Sequence, residues 1–133
     1  MKVHQLDHLV LTVADIDATV AFYEGVLGMQ SEVFYPADGT TRTALKFGVQ
    51  KINLHPKGRE YEPKAQTPVA GSADLCFLSE TAVDDWADAL GKKGIAIEDG
   101  PVQRTGAAGP ILSIYLRDPD GNLIEISNLI GTS

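Results

Sequence analysis

Near the end of the chain a carboxylate interrupts an apolar run, Ile124-Glu125-Ile126. Strand side chains alternate faces, so Glu125 points away from both isoleucines. An ionised carboxylate there needs water or a cation, because burying it unpaired is costly. The same alternation puts Asn53 and His55 together, opposite Ile52 and Leu54, and gives Ser113 and Tyr115 one face of Ile111 to Leu116. These pairs set an amide beside an imidazole and a hydroxyl beside a phenol. Arg104 lies in a glycine-rich stretch, Gly100 to Gly109, and has the charge to meet an anionic substrate. That stretch lacks phosphate-loop spacing and precedes a strand, so it is expected to be a flexible lid. Cys76 and Trp86 are expected in the core and His4 on the surface.

The elements that must position these groups follow from pattern. His8 to Val13 is short and rich in β-branched residues, as a strand should be. Asp15 can cap a helix whose apolar face is Ile16, Val20, Tyr23 and Leu27, with Gly28 closing it. Strands are expected at Met29 to Tyr35, Thr41 to Phe47 and Lys51 to His55, separated by Asp38-Gly39 and Gly48. Residues 56–72 carry prolines, glycines and mixed charge without a period, the mark of a linker arm. The order then restarts. A strand Ala73 to Leu78 precedes a helix capped by Glu80 or Thr81 with Val83, Trp86 and Leu90 as its apolar positions. Lys92 and Lys93 suit that helix's C-terminal dipole, and Gly94 ends it. Strands at Ile95 to Glu98, Ile111 to Leu116 and Leu123 to Ser127 complete it, the last two joined by Asp118-Pro119-Asp120-Gly121-Asn122.

The two runs make an internal repeat. His8-Leu9 aligns with Asp74-Leu75, an offset of 66, and Ile52-Asn53-Leu54 with Ile124-Glu125-Ile126, an offset of 72. One loop of different length accounts for the drift. At 133 residues with 44% apolar and 22% charged residues, the chain has the composition of a folded domain. A net charge of -7 without a basic cluster excludes nucleic acid as an expected partner. One cysteine excludes an internal disulfide framework, and no apolar run approaches membrane-spanning length, so a cytoplasmic protein is expected.

Asp7 to Val13 with Phe22-Tyr23 and Leu27-Gly28-Met29, and the closing stretch Arg117 to Glu125, resemble the vicinal-oxygen-chelate superfamily of glyoxalases, bleomycin-resistance proteins and extradiol dioxygenases. Phe47-Gly48, Lys51 to His55, Glu62 to Ala65 and the stretch Gly100 to Ile111 resemble, within it, glyoxalase domain-containing protein 5 and bacterial virulence-associated relatives. The resemblance implies an α+β chain of two βαβββ modules, at residues 1–55 and 73–133, with curved mixed sheets forming a cupped cleft. It nominates His8, Asn53, Asp74 and Glu125 at the ligand positions of a divalent metal. His8 and Glu125 match the family's residue types, whereas Asn53 replaces a Glu and Asp74 a His. One imidazole with one or two carboxylates suits Zn, Ni, Mn or Fe.

The expected ligands are therefore His8, Asp74 and Glu125. Asp74 is preferred over His55 because two residues along a strand is roughly 6.6 Å, too far for a ligand to slip. His55, Asn53, Arg104, Ser113 and Tyr115 are expected to face substrate. The implied activity is a glyoxalase-like lyase or isomerase acting on a small oxygenated carbonyl compound, such as a thiol adduct of methylglyoxal, with Glu125 as base. An Fe(II) extradiol-type dioxygenase and a metal-free drug- or metabolite-binding protein are the alternatives. A homodimer is expected, since curved sheets leave edges to cover.

Overall fold

The structure, a computed structural model, describes residues 1–131 and divides into two compact units, Met1–Ser72 and the chain from Ala73 onward. Thr132 and Ser133, the end of the expected second module, lie outside the described residues. The first unit runs β1 (His8–Val13), α1 (Ile16–Gly25), β2 (Gln30–Phe34), β3 (Arg42–Phe47) and β4 (Gln50–Pro56). The second runs β5 (Asp74–Leu78), α2 (Val83–Lys92), β6 (Asp99–Thr105), β7 (Pro110–Arg117) and β8 (Leu123–Leu129).

Both units share one topology. Their sheets have the orders β1-β4-β3-β2 and β5-β8-β7-β6, with the first and last strands parallel and the rest antiparallel. Val10 stands beside Asn53 in the first sheet, and Cys76 beside Glu125 in the second. These are the pairs that the offsets of the internal repeat equate.

Each sheet buries one face against its own helix. In the first unit Leu11, Val13, Leu45, Ile52 and Leu54 are buried with Tyr23 of α1. In the second, Ile114, Leu116, Ile124 and Ile126 are buried with Val83 and Leu90 of α2. Burying such side chains stabilises each unit by roughly 1.5–3 kcal/mol apiece. The opposite faces carry the polar residues.

Helix α1 starts as its sequence requires: Asp15 accepts from the Ala18 N–H at 3.0 Å. Thr19, buried on α1, satisfies its hydroxyl by donating to the Asp15 carbonyl at 2.8 Å. The helix ends before Leu27, and Gly28 takes φ +74°, the left-handed conformation that closes helices.

Helix α2 departs from expectation. Neither Glu80 nor Thr81 caps it. The Val83 N–H donates instead to Asn128 Oδ1 at 2.8 Å, and the Asn128 amide donates to the carbonyls of Ser79 and Thr81. A side chain on the last strand has taken the role of a local cap.

The strand expected at Ile95 to Glu98 is also displaced. Strand β6 covers Asp99–Thr105 and so occupies half of the supposed glycine-rich loop, placing Arg104 on a strand. Pro101 is accommodated because β6 is a sheet edge, where proline is tolerated. The register slips between Asp99 and Val102, and Gly100 there has φ +100°. A Cβ on Gly100 would lie 2.3 Å from the Ser113 carbonyl oxygen, so the strand backbones approach too closely for any side chain. Trp86 is half-buried rather than fully in the core, and its indole N–H donates to Ser79 Oγ at 2.9 Å.

The β7–β8 turn is built from side chains. Asp118 Oδ1 accepts from the N–H groups of Asp120 and Asn122, both at 2.9 Å, and Asp118 Oδ2 accepts from Asn122 Nδ2 at 2.8 Å. Asn122, 1% exposed, accepts through Oδ1 from the Ala73 N–H at 2.8 Å and so ties the turn to the start of β5. Asn122→Ala is expected to destabilise the chain by roughly 2–4 kcal/mol, since it strands buried partners on both sides. Gly100→Ala is expected to cost roughly 1–3 kcal/mol or more through backbone strain and the carbonyl clash. Chemical denaturation of both variants measures these losses; wild-type midpoints would contradict the assigned contacts.

Candidate functional site

The polar face of the second sheet carries Glu125 at its centre. Cys76 on β5 and Tyr115 on β7 flank it in register. Ser113 donates to Glu125 Oε2 at 2.6 Å and lies 2.6 Å from Ser127 Oγ, which is 3.3 Å from Cys76 Sγ. Each hydroxyl has one proton to give. Ser127, 2.6 Å from Ser113 Oγ and 3.4 Å from Glu125 Oε2, gives its proton to one of these, and the Cys76 thiol donates to Ser127. The donors form a one-way file that ends on the carboxylate, and hydrogen bonds aligned in this way reinforce one another.

Glu125 opens onto a pocket of about 440 Å³ whose walls include Leu78, Ile111 and Leu129, with Ala107 and Ala108 from the β6–β7 turn. Leu78 and Leu129 are exposed large apolar side chains at 60% and 54%, an arrangement that suits a hydrophobic ligand portion. Arg104 reaches across from β6: its Nε donates to the Tyr115 hydroxyl at 3.1 Å, and its guanidinium pairs with Asp99 at 3.5 Å. Loss of water around the Tyr115 hydroxyl raises its pKa; the Arg104 hydrogen bond opposes this and the Glu125 carboxylate adds to it. The phenol therefore stays protonated and can donate.

Of the residues singled out from the sequence, the structure gathers Glu125, Ser113, Tyr115 and Arg104 in this pocket. Asp74 is exposed on the same face of β5, one alternation step from Cys76. Ser127 was missed, although its position two residues after Glu125 puts it on the same face by strand parity. Cys76 was misplaced. It is exposed on the polar face of a sheet edge rather than in the core, because β5 has only β8 as a neighbour. Burial of its sulfur against the pocket wall, ahead of the opposing Ser127 hydrogen bond, pushes the thiol pKa up, away from thiolate reactivity.

His8, Asn53 and His55 share the polar face of the first sheet. His8 Nδ1 lies 2.8 Å from Asp7 Oδ2, a contact that engages one ring nitrogen and leaves Nε2 as the other. Asn53 Oδ1 is buried without a hydrogen-bond partner, an unusual state for an amide. His55 is only 5% exposed; its ring meets Tyr61 edge-on at 5.1 Å, and the Tyr61 ring in turn carries the Arg42 guanidinium at 4.2 Å. His55 is thus the support on which the arm after β4 rests. Among the described residues, no three His, Cys, Asp or Glu side chains gather into a group able to hold a metal.

Residues 5–126 match the family described as the Glyoxalase/Bleomycin resistance protein/Dioxygenase superfamily. The chain belongs to this superfamily. Among superfamily proteins, the virulence protein STM3117 of Salmonella typhimurium is 54% identical over 98% of this chain and 88% of its own length. The crystal structure of STM3117 superposes with a TM-score of 0.89 at 53% identity, covering 98% of this chain and 100% of that one. The glyoxalase domain-containing protein RDO1 of Mycosarcoma maydis is 54% identical over 96% of this chain and 70% of its own length. At lower identity stands an ethylmalonyl-CoA/methylmalonyl-CoA epimerase of Cereibacter sphaeroides, 30% identical over 94% of this chain and 98% of its own length. A lactoylglutathione lyase structure from Agrobacterium tumefaciens has a TM-score of 0.66 at 25% identity, covering 93% of this chain and 92% of that one.

Burial lowers the His55 pKa, the nearby Arg42 charge lowers it further, and Glu60 opposes both. A base whose folded pKa is depressed leaves the unfolded chain binding the extra proton. The His55 contribution is therefore complete above its ordinary value near 6.5 and is lost as pH falls from there through the depressed folded value. His55→Gln removes this dependence. Stability measured from pH 8 to 5 is expected to fall more steeply in wild type than in the variant, and parallel curves would contradict it.

Proposed function

We propose that the chain is an enzyme of the glyoxalase-like lyase or isomerase kind, in which Glu125 moves a proton at the carbon next to a substrate carbonyl. The observation that carries this reading is the Glu125 carboxylate at a pocket with apolar walls, held through one oxygen by Ser113. A base must be positioned before it can be strong, and the serine file positions this one. The Tyr115 phenol and the Arg104 guanidinium give the pocket a donor and a positive charge for the substrate's oxygens. The apolar walls exclude water from the carbon that loses its proton. The names of two relatives, an epimerase and a lactoylglutathione lyase, support the same class, small carbonyl compounds carried on a thiol.

His8 and Glu125 have the character of divalent-metal donors. The Asp7 contact leaves His8 Nε2 available, and a carboxylate ringed by hydroxyls suits Zn, Ni, Mn or Fe. A cation held there would polarise a bound carbonyl and acidify the neighbouring C–H. Asp74 remains the third proposed donor, and Asn53 and His55 the groups that tune the face carrying His8. The burial of His55 behind Tyr61 weighs against the two-imidazole set that an extradiol oxygenase needs. A metal-free binding protein is the second reading, because Ser113 already satisfies Glu125 without a cation. A small-molecule ligand and a homodimer accompany either reading.

Metal analysis of protein purified without chelator is expected to find near one divalent ion per chain, reduced in His8→Ala and in Glu125→Ala with circular dichroism unchanged. Glu125→Gln is expected to slow turnover of a methylglyoxal thiol adduct by about 10²–10⁴-fold. Full metal retention in both alanine variants would sink the ligand assignment. Unchanged turnover in Glu125→Gln would sink the base.

A further inference from the structure

The polar face of the first sheet holds a row of four side chains in register: His8 on β1, Lys51 on β4, Lys46 on β3 and Gln30 on β2. Its centre is two lysines, Lys46 and Lys51, in register with each other across antiparallel strands. Like charges so placed have Cβ atoms about 4.5–5.5 Å apart and destabilise a sheet. The chain has 18 acidic residues against 11 Lys and Arg, so carboxylate partners are not scarce. Arg42, Lys64, Arg104 and Arg117 each have one within ion-pair distance. Among the described residues, Lys46 and Lys51 have none. Glu32, on β2 in the next row of the same face, opposes Ala44 and is in none of the ion pairs among the described residues. Lys51 relieves the repulsion in another direction, its ammonium lying 4.3 Å from the centre of the Phe34 ring.

We propose that this pair is a binding site for a phosphoryl group borne by a small molecule, with the Gln30 amide and the His8 ring at the ends of the row as further hydrogen-bonding groups. Two point charges with three donors each match a tetrahedral dianion, whereas a planar carboxylate is better met by a guanidinium fork. Binding removes the like-charge penalty and draws Lys51 off Phe34. The site is defined on the first unit alone and goes beyond the reading of Glu125. It can fail while the Glu125 chemistry stands, and the reverse holds too.

Titration of the full chain with inorganic phosphate, at constant ionic strength and without added divalent metal, tests it. Lysine side-chain NMR signals of Lys46 and Lys51 are expected to shift saturably, and acetate is expected to leave them in place. Lys46→Gln and Lys51→Gln are each expected to weaken phosphate binding by about tenfold or more and, without phosphate, to melt no lower than wild type. Lys92→Gln, on α2, is expected to bind phosphate as wild type does. The proposal is overturned if the two signals do not saturate, if acetate shifts them equally, or if Lys92→Gln weakens binding as much as the sheet variants.

Discussion

Everything chemical in this chain depends on the parallel pairing of each unit's first strand with its last. A parallel pair cannot be joined by a tight turn, so the helix and two further strands must intervene before the chain returns. The return puts residues some 40 to 50 positions apart side by side: Val10 beside Asn53 in one unit, Cys76 beside Glu125 in the other. It also makes the closing strand an interior strand of its sheet, flanked on both sides. A side chain there is approached from two neighbouring strands. That is why Glu125 finds Ser113 on one side and, through Ser127, Cys76 on the other.

The two units spend the same topology differently. In the second, the polar face is a pocket with apolar walls and one carboxylate supplied with hydrogen-bond donors. In the first, it is a row of cations and amides, with an unpartnered Asn53 oxygen and a buried imidazole. Duplication followed by divergence would give this result, since the helix-facing residues are constrained by packing and the opposite face is free to change. The Glu125 position illustrates it: its counterpart is Asn53, neutral and without a partner.

Much of this was legible in the sequence. Alternation in Ile124-Glu125-Ile126 and Ile52-Asn53-Leu54 fixed which residues face which way, and Asp15 announced its helix. The failures share a cause. The start of α2 was assigned to Glu80 or Thr81 because caps are usually local, but Asn128 supplies it from a strand 45 residues later. Strand β6 was read as loop because Gly100 and Pro101 are turn residues, whereas here they form a bulge at a sheet edge. Cys76 is expected in the core from residue type alone, though parity with Asp74, two residues earlier on the same strand, places it on the open face. Local pattern reports propensity and periodicity; it is silent on partners that only tertiary structure delivers.

The Asn128 cap has a consequence for synthesis. A nascent chain emerges amino-terminus first, so α2 leaves the ribosome well before the side chain that satisfies its first N–H, that of Val83. Until β8 arrives, the helix has neither that cap nor the Ile124 and Ile126 surface it packs against, and β5 lacks its only sheet neighbour. A ten-residue helix is marginal alone. The second unit therefore neither caps α2 nor pairs β5 until β8 has been made, so contacts late in the chain complete elements made early in it.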